Sequence, residues 1–164
     1  LEERDYFCGH KQWLEVKEKV QKEMPNVEFR LVGNNPGISR AISDVNELVK
    51  QYNECSCYIN TSQLSPIPMT LMEAMSCGCP VVSSAKQEIP RVINGSNGFC
   101  SNDTSEMSNK IIEILKNKDL AASMGAAAAD TIRTNFSLES FLENWNRMFD
   151  LAYNIRFGKG ITNG

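Results

Sequence analysis

Apolar positions along this chain switch repeatedly between a helical period and a strand period, which predicts helices separated by short strands. From His10 to about Glu23, Trp13, Val16 and Val20 recur at helical spacing, and Met24-Pro25 ends the run. Residues 27–32 alternate apolar with polar and predict a strand, broken by the loop Gly33-Asn34-Asn35-Pro36-Gly37. Asp44 is placed to cap a helix through Tyr52, and residues 55–60 read as a short strand. After Ser65-Pro66-Ile67-Pro68 comes a helix over about residues 69–77, stopped by Gly78, and then a buried strand over 79–83. A short helix near residues 89–93 precedes the turn signals Asn94-Gly95 and Asn97-Gly98. Asp103, with Glu106 three residues on, predicts a capping box, and the helix it opens carries Met107, Ile111, Ile114 and Leu115 as one stripe. Residues 120–135 form an alanine-rich helix, and Ser137 caps a last helix in which Phe136 can staple onto Phe141.

Strands that alternate with helices pair in parallel through crossover helices. The expected fold class is therefore α/β, a doubly wound, Rossmann-like parallel sheet flanked by helices. Ligands in such sheets bind beyond the carboxyl ends of the strands, which singles out the loops after Val32, Asn60 and Ser83. The 164 residues suit a single domain, and a start at Leu1 without a leader reads as a piece of a longer protein. Seventeen Lys and Arg against 20 Asp and Glu give a net charge of −3 with no basic block, which argues against a nucleic-acid partner. Apolar runs are too short to cross a bilayer.

Six cysteines (Cys8, Cys55, Cys57, Cys77, Cys79 and Cys100) form two C-x-C pairs and no C-x-x-C, and the one histidine, His10, is far from both pairs. That spacing does not suit zinc. The reading is buried, reduced thiols in a cytoplasmic protein, with Cys55 and Cys57 on one face of a strand; a metal or disulfide role is the alternative.

The stretch from Ser65 to Pro80 carries the most chemistry. Pro68 falls near the first turn of its helix, where a missing N–H costs nothing, and the amides of Met69, Thr70 and Leu71 are expected to point out of the helix start. A phosphate group is the natural guest for those donors and for the positive end of the helix dipole. Glu73 lies about one turn further in, on the side of Met69 and Thr70, placed to accept hydrogen bonds from sugar hydroxyls. The other reading is an exposed helical glutamate, yet a charge set among Leu71, Met72, Ala74 and Met75 is costly unless it is partnered.

Residues 65–84, followed by Ile89-Pro90-Arg91-Val92-Ile93-Asn94-Gly95-Ser96-Asn97-Gly98, resemble the C-terminal domain of GT-B glycosyltransferases. The match is to the large retaining group called glycosyltransferase family 4, or group 1. Leu71-Met72-Glu73-Ala74-Met75-Ser76-Cys77-Gly78-Cys79-Pro80-Val81-Val82 is similar to the core motif of that family, and Met124-Gly125 and Asn135-Phe136-Ser137 to its ending. The resemblance runs from about Val27 to Tyr153. It implies the C-terminal half of a GT-B fold, binding a nucleoside diphosphate sugar as substrate and using no cofactor and no metal. The sugar would pass to an acceptor with retention of configuration.

Residue by residue, the resemblance makes Glu73 the ligand of the donor's ribose, Met69 and Thr70 the amides facing the diphosphate or sugar, and Gly33, with Asn34 after it, the turn beside the nucleotide. Arg4 and Lys11 stand for the arginine and lysine that clamp the diphosphate, or else belong to a solvated charged loop. Ser65 takes the place of a glutamate that contacts sugar hydroxyls, and Pro66 and Pro68 remove two backbone donors. Gln87-Glu88 replace a glycine pair, and Arg91 replaces a glutamate. No catalytic residue is assigned.

The implied partners are the nucleotide sugar and an N-terminal acceptor domain outside this chain. A lipid-linked acceptor, with peripheral membrane association, stays open. Alone, the chain is expected to bind nucleotide weakly and turn nothing over. The alternative is a non-catalytic module that binds a nucleotide or a partner through a degenerate donor site. The match from Leu71 to Met75 argues against an epimerase, and the absence of G-x-G-x-x-G after a strand argues against a dinucleotide oxidoreductase.

Overall fold

The computed structural model describes residues 6–33 and 41–158. Three parallel strands, β1 (Tyr58–Asn60), β2 (Val81–Ser83) and β3 (Phe99–Cys100), lie side by side in that order. Tyr58 stands opposite Val81, and Val82 opposite Phe99. Helices flank them: α1 (His10–Glu23), α2 (Val45–Glu54), α3 (Met69–Ser76), α4 (Ile89–Val92), α5 (Thr104–Lys116), α6 (Lys118–Asn135) and α7 (Leu138–Phe157). The fold is the expected Rossmann-like α/β arrangement.

The pleat divides the core in two. Val81 faces a cluster with Leu71, Ala74 and Met75 of α3, and with Ile89 and Val92 of α4. Val82 faces the other, with Val16 and Val20 of α1 and Met107, Ile111 and Ile114 of α5. Adjacent residues point to opposite sides of a strand, so two valines anchor helices on both faces. α6 serves both layers, giving Met124 to one cluster and Ala128 to the other. It comes close enough that a Cβ on Gly125 would stand 2.0 Å from the Gly78 carbonyl oxygen.

β1 and β2 are both shorter than the sequence pattern implies, because neighbouring amides are already engaged. The Cys79 amide turns back to the Ala74 carbonyl at 3.0 Å, so the ladder opens only with Tyr58 N–H to Pro80 O at 2.8 Å. Pro80 has no N–H to give. The Cys55 amide bonds the Tyr52 carbonyl as the C-cap of α2. A bend at Ser56 follows, which puts Cys55 in the first cluster and Cys57 in the second. The expectation that both share one face is therefore overturned.

Residues 27–32 keep the alternation, with Val27 and Phe29 packed inward and Glu28 and Arg30 outward, yet they join no ladder. Val27 is drawn into the preceding turn, its amide on Met24 O and its carbonyl on the Gln21 side chain. Side chains hold the rest: Phe29 meets Trp13 edge to face at 5.9 Å, and Arg30 bonds Gln51 at 3.1 Å.

At α5, Asp103 caps through the Ser105 amide at 2.6 Å. Glu106 does not reach back to the Asp103 amide. It accepts from the Ser101 hydroxyl, which itself accepts from that amide at 3.0 Å, so a serine relays the box.

Candidate functional site

The carboxyl ends of β1 and β2 carry a buried polar network. Asn60 donates through Nδ2 to Ser83 Oγ at 2.8 Å and accepts from the Ser62 amide at 3.2 Å. Ser84 donates its amide to Asn60 O and its hydroxyl to Ser62 O at 2.6 Å. Glu88 N–H reaches Pro66 O at 3.3 Å. The loops after β1 and β2 are thus braced against each other, and the first of them feeds α3.

α1 docks on the same end. Gln63 donates its amide to Phe7 O at 2.9 Å, and Thr61 donates its hydroxyl to Cys8 O at 3.2 Å. Gly9 caps α1 with φ +67, and a Cβ there would stand 1.8 Å from Thr61 O. Only glycine fits both the left-handed backbone and that contact. Lys11, two residues on, is exposed in the first turn of α1 at this end of the sheet.

Pro68, with φ −62 and ψ 133, precedes the first turn of α3, and no side chain caps that helix. Its carbonyl accepts the amides of Leu71 at 3.0 Å and Met72 at 3.3 Å. This corrects the expectation of three open donors. Met69 and Thr70 donate to no backbone carbonyl among the described residues, whereas the Leu71 amide is occupied. Met69 and Thr70 are exposed, and Glu73 is half-buried.

Two tyrosines missing from the sequence-based reading brace this helix. Tyr52 of α2 donates to Glu73 Oε2 at 3.0 Å, and Tyr58 of β1 donates to Thr70 Oγ1 at 2.8 Å. Their rings meet edge to face at 6.1 Å. Burial pushes the Tyr52 phenol well above the ordinary range, and its bond to Glu73 adds to the effect. Burial likewise pushes Tyr58 up to about 12. Both phenols thus stay protonated donors at neutral pH, and the Glu73 carboxylate keeps an oxygen for a further hydrogen bond. Nothing in sequence periodicity pairs residues 21 and 12 positions apart; the usable signal is an aromatic hydroxyl on each element preceding the α3 helix.

Ser65 is half-buried in the loop entering α3. Gly33, φ 145, ends the extended segment beside a recess of about 250 Å³ lined by Arg30, Val32, Ile42, Glu47 and Gln51. Met69, Thr70, Glu73 and Ser65 therefore belong to one helix start, and Lys11 and Gly33 to neighbouring elements. Arg4 and Asn34 lie outside the described residues. Gln87 has φ +50, so it holds a glycine-like backbone where the resemblance has a glycine. Among the described residues no three His, Cys, Asp or Glu side chains gather as a metal site, and the cysteines are free thiols. No helix among them is long and apolar enough to cross a membrane.

Residues 8–131 match the family described as Glycosyl transferases group 1, and this chain belongs to that family. It is 28% identical over 156 residues to a Staphylococcus aureus poly(ribitol-phosphate) alpha-N-acetylglucosaminyltransferase, covering 84% of this chain and 32% of the relative. Among solved structures it is similar to S. aureus TarM bound to fondaparinux, alpha-GlcNAc-glycerol and UDP (TM-score 0.68, 23% identity, 87% of this chain and 33% of that one). It is also similar to Anabaena HepE in complex with UDP-glucose (TM-score 0.58, 20% identity, 70% of this chain and 33% of that one). The chain thus spans about a third of the length of these relatives.

Proposed function

We propose that this chain is the donor-binding half of a glycosyltransferase that takes its sugar from a uridine diphosphate sugar. The observation that carries the reading is the start of α3: two open amides, with a carboxylate one turn in that Tyr52 holds in place. The Met69 and Thr70 amides and the helix dipole would receive the diphosphate, with Lys11 as a neighbouring cation. Glu73 would accept from the ribose hydroxyls, Ser65 would meet the sugar, and the recess beside Gly33 would take the nucleoside. Leaving-group charge would be met by helix ends and cations without a divalent metal, and transfer would retain the anomeric configuration. The UDP and UDP-glucose bound in the similar structures favour uracil as the base.

The acceptor half would come from the rest of a longer protein. α7 favours this: no residue of the helix is buried, yet Phe141, Leu142, Trp145, Met148 and Phe149 make an apolar stripe along it.

A thermal-shift titration with UDP tests the site. Ligand bound only to the folded state stabilises it by about 2.7 kcal/mol at a hundredfold excess over Kd. UDP is expected to raise the midpoint of the full-length protein and to lose that effect in Glu73→Ala. Equal shifts in both proteins would overturn the assignment of Glu73. A non-catalytic module is the second reading, motivated by Ser65 and by the strained Gln87; sugar transfer by the full-length protein ends it.

A further inference from the structure

Four of the six cysteines, Cys55, Cys77, Cys79 and Cys100, pack in or against one core cluster, and Cys57 packs against the other. Cys55 caps the end of α2, and Cys79 follows the turn that closes α3. Tyr58 opposite Val81 opens the parallel ladder, and Cys55 and Cys79 lie in the two segments that lead into it. The Cys79 thiol donates to the Cys55 carbonyl oxygen at 3.5 Å and also faces the Cys55 thiol. The two thiols differ in access, Cys55 being half-buried and Cys79 buried.

We propose that Cys55 and Cys79 are a redox modification site, which hydrogen peroxide converts to an intrachain disulfide tying the end of α2 to the end of α3. Cys55 is the attacking sulfur. The neighbouring Cys79 thiol holds the Cys55 thiol below the usual range against the opposing effect of burial, and the Cys57 amide and the Arg30 guanidinium add to the lowering. The Cys55 thiol beside it, together with burial, pushes the Cys79 thiol up and keeps it protonated.

The Cys55 thiolate attacks one peroxide oxygen, forming an S–O bond as the O–O bond breaks, and the departing hydroxide takes a proton to become water. The Cys79 sulfur then attacks the Cys55 sulfenic acid. An S–S bond forms, the S–O bond breaks, and the hydroxide released takes the Cys79 proton. Two thiols lose two electrons together, and one peroxide is reduced to two waters. Cys57 is excluded because it lies on the opposite face of the strand. The bond would join the two elements that make the Tyr52–Glu73 contact, so oxidation fixes the spacing at that carboxylate.

The test uses the folded full-length protein carrying this chain, treated with hydrogen peroxide, alkylated, and cleaved after glutamate. Cleavage at Glu54, Glu73 and Glu88 separates Cys55 and Cys57 on residues 55–73 from Cys77 and Cys79 on 74–88. The expected product is these two peptides linked with the loss of two hydrogen atoms, formed equally in a Cys57→Ser/Cys77→Ser variant. Cys55→Ser and Cys79→Ser each abolish it, and urea during oxidation reduces it. Peptides that stay separate and fully alkylated, a sulfinic acid on an unlinked Cys55, or a link through Cys57 or Cys77 would each overturn the proposal. The readout is a mass, so failure to bind UDP would leave this result standing.

Discussion

Each hydroxyl that braces α3 belongs to a phenol whose charged form the fold disfavours. Tyr52 is pushed up by burial and by its bond to Glu73, and Tyr58 is pushed up to about 12, chiefly by burial. A native pKa above the unfolded value means that the folded state holds the proton more tightly. That stability is complete below about pH 10, where unfolded tyrosine titrates, and is lost as pH rises past it. The urea midpoint is therefore expected to hold from pH 7 to about 9 and to decline between about 10 and 12. Tyr52→Phe flattens this alkaline limb while costing about 1 kcal/mol at neutral pH, because Glu73 loses its donor. An alkaline decline unchanged in both Tyr52→Phe and Tyr58→Phe would show that other groups govern it. Glu73 is legible in the sequence because a charge among apolar helical positions demands a partner. The partner itself is not legible, since Tyr52 reaches it from another helix.

Elements are legible where they satisfy themselves locally. α5 follows from its cap and stripe and α6 from its alanine-rich run, whereas strand limits depend on amides engaged elsewhere: Cys79 on Ala74, Cys55 on Tyr52, Val27 on Met24. β3 has only two residues and too little pattern to be read from sequence. The pair Met124-Gly125 is visible as a motif, but its cause is visible only in three dimensions. α6 crosses the turn after α3 so closely that any side chain at Gly125 meets the Gly78 backbone. A backbone oxygen cannot swing aside as a side-chain tip can. Gly125→Ala is therefore expected to cost roughly 3 kcal/mol, lowering the melting midpoint by about 6–12 °C. Because Gly78 closes the helix that carries Glu73, UDP-induced stabilisation should weaken in the same variant. An unchanged midpoint would mean that α6 stands further off than the contact implies.

At the scale of the molecule, α7 is the element that the remainder of the structure does not explain. Its aromatic rings contact one another, Phe141 with Trp145 and Trp145 with Phe149, and Phe141 does so instead of any ring contact with Phe136 among the described residues. Trp145 is 48% exposed, a large apolar surface to leave in water. Its stripe lies on a chain about a third the length of its relatives, so the proposed acceptor half is the surface that would cover it. Two proteins then separate the outcomes. In the isolated chain, Trp145→Ala removes a half-exposed side chain and its contacts with Phe141 and Phe149, and should cost about 1 kcal/mol. In the full-length protein the same change should cost about 3 kcal/mol, as for a buried aromatic residue. With fluorinated tryptophan, the Trp145 resonance should feel the exchange of H2O for D2O in the isolated chain and lose that sensitivity in the full-length protein. Equal effects in both would mean that the stripe faces water there too, and the acceptor half would have to meet this domain elsewhere.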